Sequence, residues 1–256
     1  MSSDPPTLRG LDVEQHLADP AKKQRFVTPM FDIIAPRYDQ FTRLFSFGMD
    51  RNWKAELLDD AVAAAPADAV VVDLACGTGD LAFAVAERVV GARVSGVDAS
   101  PRMIEGAKAR RRERAGGAAG RVVFRVGDMT RLDLPDGSVD VVTAGYGYRN
   151  VPDFCVGLAE AARVLRPGGR LLTLDFYRPL SALWRFLFLG YLRVAGDLVG
   201  WLWHREPVVY GYIARSIDSF VSVTEFSAAL DAAGFQVERV TVKLFGGVAM
   251  HVARKR

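Results

Sequence analysis

From Ala69 onward, short apolar runs alternate with stretches whose apolar residues recur every three or four positions. AVVVDL (69–74) is apolar almost throughout, as expected of a strand buried on both faces. DLAFAVAERV (80–89) has helical spacing, and RVSGVD (93–98) reads as a second strand. Ser100-Pro101 supplies an N-cap with proline in the first turn ahead of RMIEGAKARRRERA. Strands follow at 122–128 and 139–147, then a helix over 151–165 that Pro167-Gly168-Gly169 stops, and a fifth strand at 169–176. A helix over 224–235 precedes two strands that pair as a hairpin across Gly246-Gly247. Before this array, residues 25–65 read as helical and carry many aromatics. Strands alternating with helices predict an α/β fold: a doubly wound, mostly parallel sheet with an antiparallel C-terminal strand.

Leu180–Trp203 is long enough to span a bilayer, but Arg185, Arg193 and Asp197 interrupt it. On a helix these charges share an arc of roughly 120°, so the segment reads as amphipathic. It either covers the core or forms a greasy lid or membrane-surface contact for an apolar substrate. The N-terminus lacks a basic start followed by an apolar run, so the expectation is a cytoplasmic protein, with contact at the inner face of the membrane left open.

With 256 residues, half of them hydrophobic, the chain can bury a substantial core and is no disordered segment. Two cysteines exclude a disulfide scaffold and a zinc site built on cysteine pairs. A net charge of +3 argues against general nucleic-acid binding. The basic run Arg110-Arg111-Arg112 with Arg114 reads as a solvated face.

The strongest chemical signal is DLACGTGD (73–80), joining the first strand to the first helix. Gly77 and Gly79 permit a tight turn and close approach of a ligand to the backbone. Asp98 ends the second strand, where a carboxylate can accept both hydroxyls of a ribose. Gly77, Gly79 and Ala82 also fit a dinucleotide fingerprint, which keeps a nicotinamide-type oxidoreductase as an alternative. Asp73 is a poor neighbour for a pyrophosphate, however, and Asp128 adds a third acid to the same sheet edge. Three acids there suit a nucleoside with a positive appendage, such as S-adenosyl-L-methionine.

DLACGTGD, GVDAS, GDMTRLDLPDGSVDVV and RVLRPGGRLLTLDF together resemble the successive motifs of class I S-adenosylmethionine-dependent methyltransferases, across about residues 69–176. A narrower resemblance, to the ubiquinone/menaquinone C-methyltransferases of the UbiE family, comes from VTPMFDIIAPRYDQFTRLFSFGMDRNWK (27–54), GYGYRNVPD (145–153), YGYIARSI (210–217) and GGVAMH (246–251). It is weakest over 178–208. It implies a Rossmann-like seven-stranded sheet with an N-terminal helical lid. The corresponding division is a leader (1–24) and one methyltransferase domain (25–256). That domain splits into a lid (25–65), a cofactor-binding core (66–177), apolar substrate-covering helices (178–222) and a C-terminal helix and hairpin (223–256).

The resemblance also implies roles. Gly77, Thr78 and Gly79, with Asp73 and Ala75 beside them, take the methionine part of the cofactor, and Asp98, with Ala99, takes the ribose. Asp128 and Met129 cradle the adenine, Gly145 contacts the cofactor through its backbone, and Tyr38 covers it. Methyl transfer to a quinol carbon makes Arg149 and Asn150 stabilisers of a phenolate, and His251 the candidate base that titrates near neutrality. No metal is implied. The expected partner is an apolar small molecule; a homodimer stays open. The alternatives are a natural-product methyltransferase on the same frame, acting on another aromatic or polyketide, and a non-enzymatic binding module that keeps the cleft.

Overall fold

The computed structural model describes residues 23, 27–32, 46, 48–114, 116–203 and 208–256. Seven strands form one sheet: β1 (Val70–Leu74), β2 (Arg93–Asp98), β3 (Val122–Val126), β4 (Val139–Gly145), β5 (Leu165–Phe176), β6 (Phe235–Lys243) and β7 (Val248–Lys255). Their order is β3-β2-β1-β4-β5-β7-β6. Neighbours from β3 to β5 pair in parallel, and β7 runs antiparallel to both β5 and β6. The expected mostly parallel sheet with one reversed C-terminal strand is the one observed.

Alternation along the central strands splits the core in two. Val71 and Val141 point to one face, where they meet α1 (Met49–Ala64), α2 (Asp80–Arg88) and α3 (Pro101–Glu113) through Trp53, Leu57, Phe83 and Ile104. Val72 and Val142 point to the other, against α4 (Phe154–Val164) and α7 (Val223–Ala232) through Leu158, Phe226 and Leu230. Between α4 and α7 in sequence lie two further helices, α5 (Ala182–Trp203) and α6 (Val208–Asp218), packed on each other. Among the described residues no helix is long and apolar enough to cross a membrane.

Several boundaries differ from expectation for local reasons. The third strand stops at Val126, because Asp128 accepts hydrogen bonds from the Thr130 amide and hydroxyl and turns the chain. The fifth strand begins at Leu165, immediately after α4, and its pairing with β4 shifts register between Val139 and Val141 at the Pro167-Gly168-Gly169 stretch. The fourth ends at Gly145, and Tyr146 takes a left-handed φ of 61° before a 3-10 turn at Tyr148–Asn150. The Ser100 cap is as expected, its hydroxyl accepting from the Met103 amide at 3.1 Å.

Candidate active site

The strand order reverses between β1 and β4, and the carboxyl ends of those strands open a crevice of the kind that binds ligands in doubly wound sheets. Two lobes fill it, of about 640 and 380 Å³, which share Ala75, Gly77, Gly145 and Tyr146 and so form one cleft. Two residues of its wall are strained: Ala75 has φ 51° and Tyr146 φ 61°, conformations L-residues hold only when the surroundings impose them. Gly79 has φ 90°, and a Cβ on it would sit 2.6 Å from the Phe124 ring, so the turn needs glycine.

The larger lobe is lined by Asp98, Ala99, Asp128, Met129 and Asn150, with Val27, Thr28 and Phe31 of the N-terminal segment across from them. That segment is tied down by Asp32, which accepts from the Ser100 hydroxyl and the Arg102 amide. Asp98 accepts the Gly77 and Ser100 amides, each at 2.8 Å, one on each oxygen. Each oxygen keeps a second lone pair for a ligand hydroxyl. Burial raises the Asp98 pKa, against those amides, which favour the charged form.

The smaller lobe holds Asp73, Thr78, Asp80 and Lys54. Asp73 is almost fully buried. Its Oδ1 accepts from the Thr143 hydroxyl at 2.7 Å, and its Oδ2 is buried with no hydrogen-bond partner among the described residues. Burial lifts its pKa to about 7, with the Thr143 hydroxyl the largest opposing influence. A buried carboxylate oxygen without a donor is what an ammonium group satisfies. The α-amino group and sulfonium of S-adenosylmethionine fit such a lobe, and its ribose fits Asp98.

A basic frame behind the turn escaped sequence reasoning. Arg110 donates to the Thr78 hydroxyl at 2.7 Å and to Asp80 at 2.6 Å, while Lys54 reaches Asp80 at 3.4 Å. Burial raises the Asp80 pKa, but Lys54 and Arg110 outweigh it and hold the carboxyl below its usual range. Arg110 therefore departs from the solvated face expected for its basic run. The signal was present: it lies three residues past Ala107 and seven past Met103, both buried, and so on the helix face toward the sheet.

The structure separates the three residues expected to do chemistry. Asn150 lines the cleft; its amide donates to the Tyr146 carbonyl at 2.8 Å and accepts from the Tyr212 hydroxyl at 3.0 Å. Arg149 sits one layer behind, 5% exposed, with its guanidinium 3.5 Å from Asp175 and hydrogen-bonded to the Ser216 hydroxyl. Lys23 donates to the Arg149 carbonyl at 3.0 Å, which brings a second cation within the electrostatic reach of Asp175. Burial, then repulsion from Arg149, lowers the Lys23 pKa to about 8, opposed by Asp175.

His251 corrects the expectation of a base. It is fully buried on β7, between the Tyr177 hydroxyl at 3.3 Å and the Ser227 hydroxyl at 3.1 Å, and packed on Phe226. Burial depresses its pKa to about 4, and it lines neither lobe. It is a core histidine with both nitrogens occupied. Tyr38 lies outside the described residues.

A doubly wound sheet, a glycine turn after its first strand, Asp98 at the end of β2 and the partnerless buried oxygen of Asp73 beside that turn fit an S-adenosylmethionine-dependent methyltransferase. The comparisons narrow this. The model of the ubiE/COQ5 methyltransferase family matches residues 19–255, and the chain belongs to that family. It is 40% identical to a demethylmenaquinone methyltransferase of Thermus thermophilus, over 87% of this chain and 98% of that one. It is 35% identical to a ubiquinone/menaquinone biosynthesis C-methyltransferase UbiE of Geotalea daltonii, over 84% and 90%. A solved S-adenosylmethionine-dependent methyltransferase from Aquifex aeolicus shares the fold, with a TM-score of 0.56 at 17% identity over 93% of this chain and 99% of that one.

Proposed function

We propose that the chain methylates a ring carbon of a demethylated, prenylated quinol, the chemistry named for its relatives in menaquinone and ubiquinone biosynthesis. The observation that supports this most is the likeness to demethylmenaquinone methyltransferases along nearly the whole of both chains, the cleft included. S-adenosylmethionine, when bound, supplies an electrophilic methyl on a positively charged sulfur. Asp73 holds the amino end, Asp98 the ribose hydroxyls, and Gly77, Asp128, Met129 and Gly145 shape the walls. Apolar cleft walls, Val27 and Phe31 among them, exclude water and hold the reactants at near-attack distance.

A quinol carbon is a stronger nucleophile once its hydroxyl has lost a proton. Asn150 has a second amide hydrogen to offer that oxygen. Arg149 acts through it as a positioning residue: with Lys23 it makes the surroundings of the 3-10 turn net positive, which favours an oxyanion at its edge. A guanidinium is no base near neutrality.

Two measurements test this reading. The purified protein, given S-adenosylmethionine and a reduced demethylated naphthoquinol, is expected to yield a product one methyl group heavier by mass spectrometry. Expression in a strain lacking quinone methylation is expected to restore methylated quinone. Failure of both, with good expression, sinks the quinol acceptor and favours another apolar aromatic.

A further inference from the structure

The segment YGYIARSI (210–217) makes up most of α6. Tyr212 and Ser216 lie one turn apart on its buried face, against the 3-10 turn at the cleft. Each holds a side chain of that turn. The Ser216 hydroxyl accepts from the Arg149 guanidinium, and the Tyr212 hydroxyl donates to Asn150 Oδ1 at 3.0 Å. Tyr212 is completely buried, so its hydroxyl has left water at a cost that hydrogen bonding must offset. A phenylalanine would fill nearly the same space without that cost. The hydroxyl reaches instead a side chain of the cleft wall, 62 residues away in the chain.

What Asn150 can offer a ligand follows from these bonds. The Tyr146 carbonyl can only accept, so the amide nitrogen faces it, at 2.8 Å, and Oδ1 is left for Tyr212. With the hydroxyl on Oδ1, Asn150 presents its second N–H, a donor. With the hydroxyl gone, Oδ1 would be open to accept from a ligand hydroxyl. The two cases act in opposite directions on an acidic hydroxyl: a donor favours the ionised oxygen, an acceptor the protonated one. Donation to Oδ1 also polarises the amide and strengthens the remaining N–H.

Burial pushes the Tyr212 pKa up to about 12, opposed by Arg149 and reinforced by Asp175, so the hydroxyl keeps its proton through neutral and mildly alkaline pH. Among the described residues, those two are the charged groups that bear on it, with Lys23 on the Arg149 carbonyl; Arg215 and Asp218 of α6 are exposed.

We propose that Tyr212 is a positioning residue for methyl transfer: its hydroxyl occupies Asn150 Oδ1, makes Asn150 a donor toward the acceptor's reacting oxygen, and so favours the deprotonated quinol. This deepens the quinol reading and rests on it.

Tyr212→Phe keeps the ring and deletes the hydroxyl. On a soluble short-tailed demethylated naphthoquinol under argon it is expected to lose about ten-fold in kcat near neutrality, with KM and S-adenosylmethionine affinity unchanged. The midpoint of the rise of kcat with pH is expected to move up by about one pH unit, so the loss shrinks in alkali. The same change made on top of Asn150→Ala is expected to add nothing, because the hydroxyl acts through that amide. Fluorotyrosine in place of Tyr212, a stronger donor on the same ring, is expected to move the midpoint down, and this arm decides the matter if Tyr212→Phe does not fold. Unchanged kcat in Tyr212→Phe, an equal loss at every pH, or effects that multiply in the double variant overturn the inference and leave the quinol reading standing. So does a midpoint that fluorotyrosine leaves in place. Wild type that methylates no quinol overturns both.

Discussion

Asp98 and Asp73 share the sheet edge but differ in how the fold prepares them. Asp98 is already held by two amides at 2.8 Å, so it presents a pre-aligned carboxylate. Asp98→Ala removes the proposed ribose contact along with the tie to Gly77. It is expected to weaken S-adenosylmethionine binding at least ~100-fold by calorimetry, at about 1.5–3 kcal/mol for each hydrogen bond to a charged group. Unchanged affinity would remove Asp98 from the site. Asp73 is the opposite case, a carboxylate short of a donor. A carboxyl whose pKa rises on folding, here from 3.8 to about 7, makes the folded protein less stable as pH climbs through that window, because the folded state binds the proton more tightly than the unfolded one. Ligand-free Asp73→Asn escapes this. It is expected to gain about 2–3 kcal/mol relative to wild type between about pH 5 and pH 8 in urea titrations, while losing affinity for S-adenosylmethionine. A pH-independent difference would show that Asp73 is not strained by burial.

At the scale of elements, β7 and α3 show where patterning stops short. That β7 is a strand follows from its apolar residues; that its His251 points at α7 and not at the cleft depends on register. His251 lies opposite Thr173 and Val240, and its ring reaches Ser227 of α7. Burial depresses its pKa from 6.5 to about 4, so the unfolded chain takes up a proton first as pH falls, and stability drops across that interval by up to about 3 kcal/mol. His251→Gln is expected to flatten this part of the wild-type stability curve in chemical denaturation and to leave turnover intact wherever the variant is folded. Loss of turnover with an unaltered fold would restore the histidine to the chemistry. For α3 the missing inference was an angle: Arg110 continues the buried stripe of Met103 and Ala107, yet in the sequence it sits inside a run of arginines and reads as surface.

For the whole molecule, the cleft is assembled from β1, β2 and β4, from the turn after β3 and from the N-terminal segment, so filling it ties together parts distant in sequence. A ligand that binds only the folded state stabilises it by about 2.7 kcal/mol at 100 times its Kd. In a chain of this size that shifts the melting temperature by about 5–10 °C. S-adenosylmethionine is expected to produce such a shift by calorimetry and NAD none; the reverse result would move the protein out of the methyltransferases. The alternation of strand and helix, the glycine turn and the acids at strand ends were legible along the chain, because backbone hydrogen bonding and one-face burial impose short periods that a linear string displays. The orphaned Asp73 oxygen, the retreat of Arg149 behind Asn150 onto Asp175 and the burial of His251 were not. Each depends on side chains tens to hundreds of residues apart meeting in a dry interior, where desolvation and shape, not spacing along the chain, set charge state and partner.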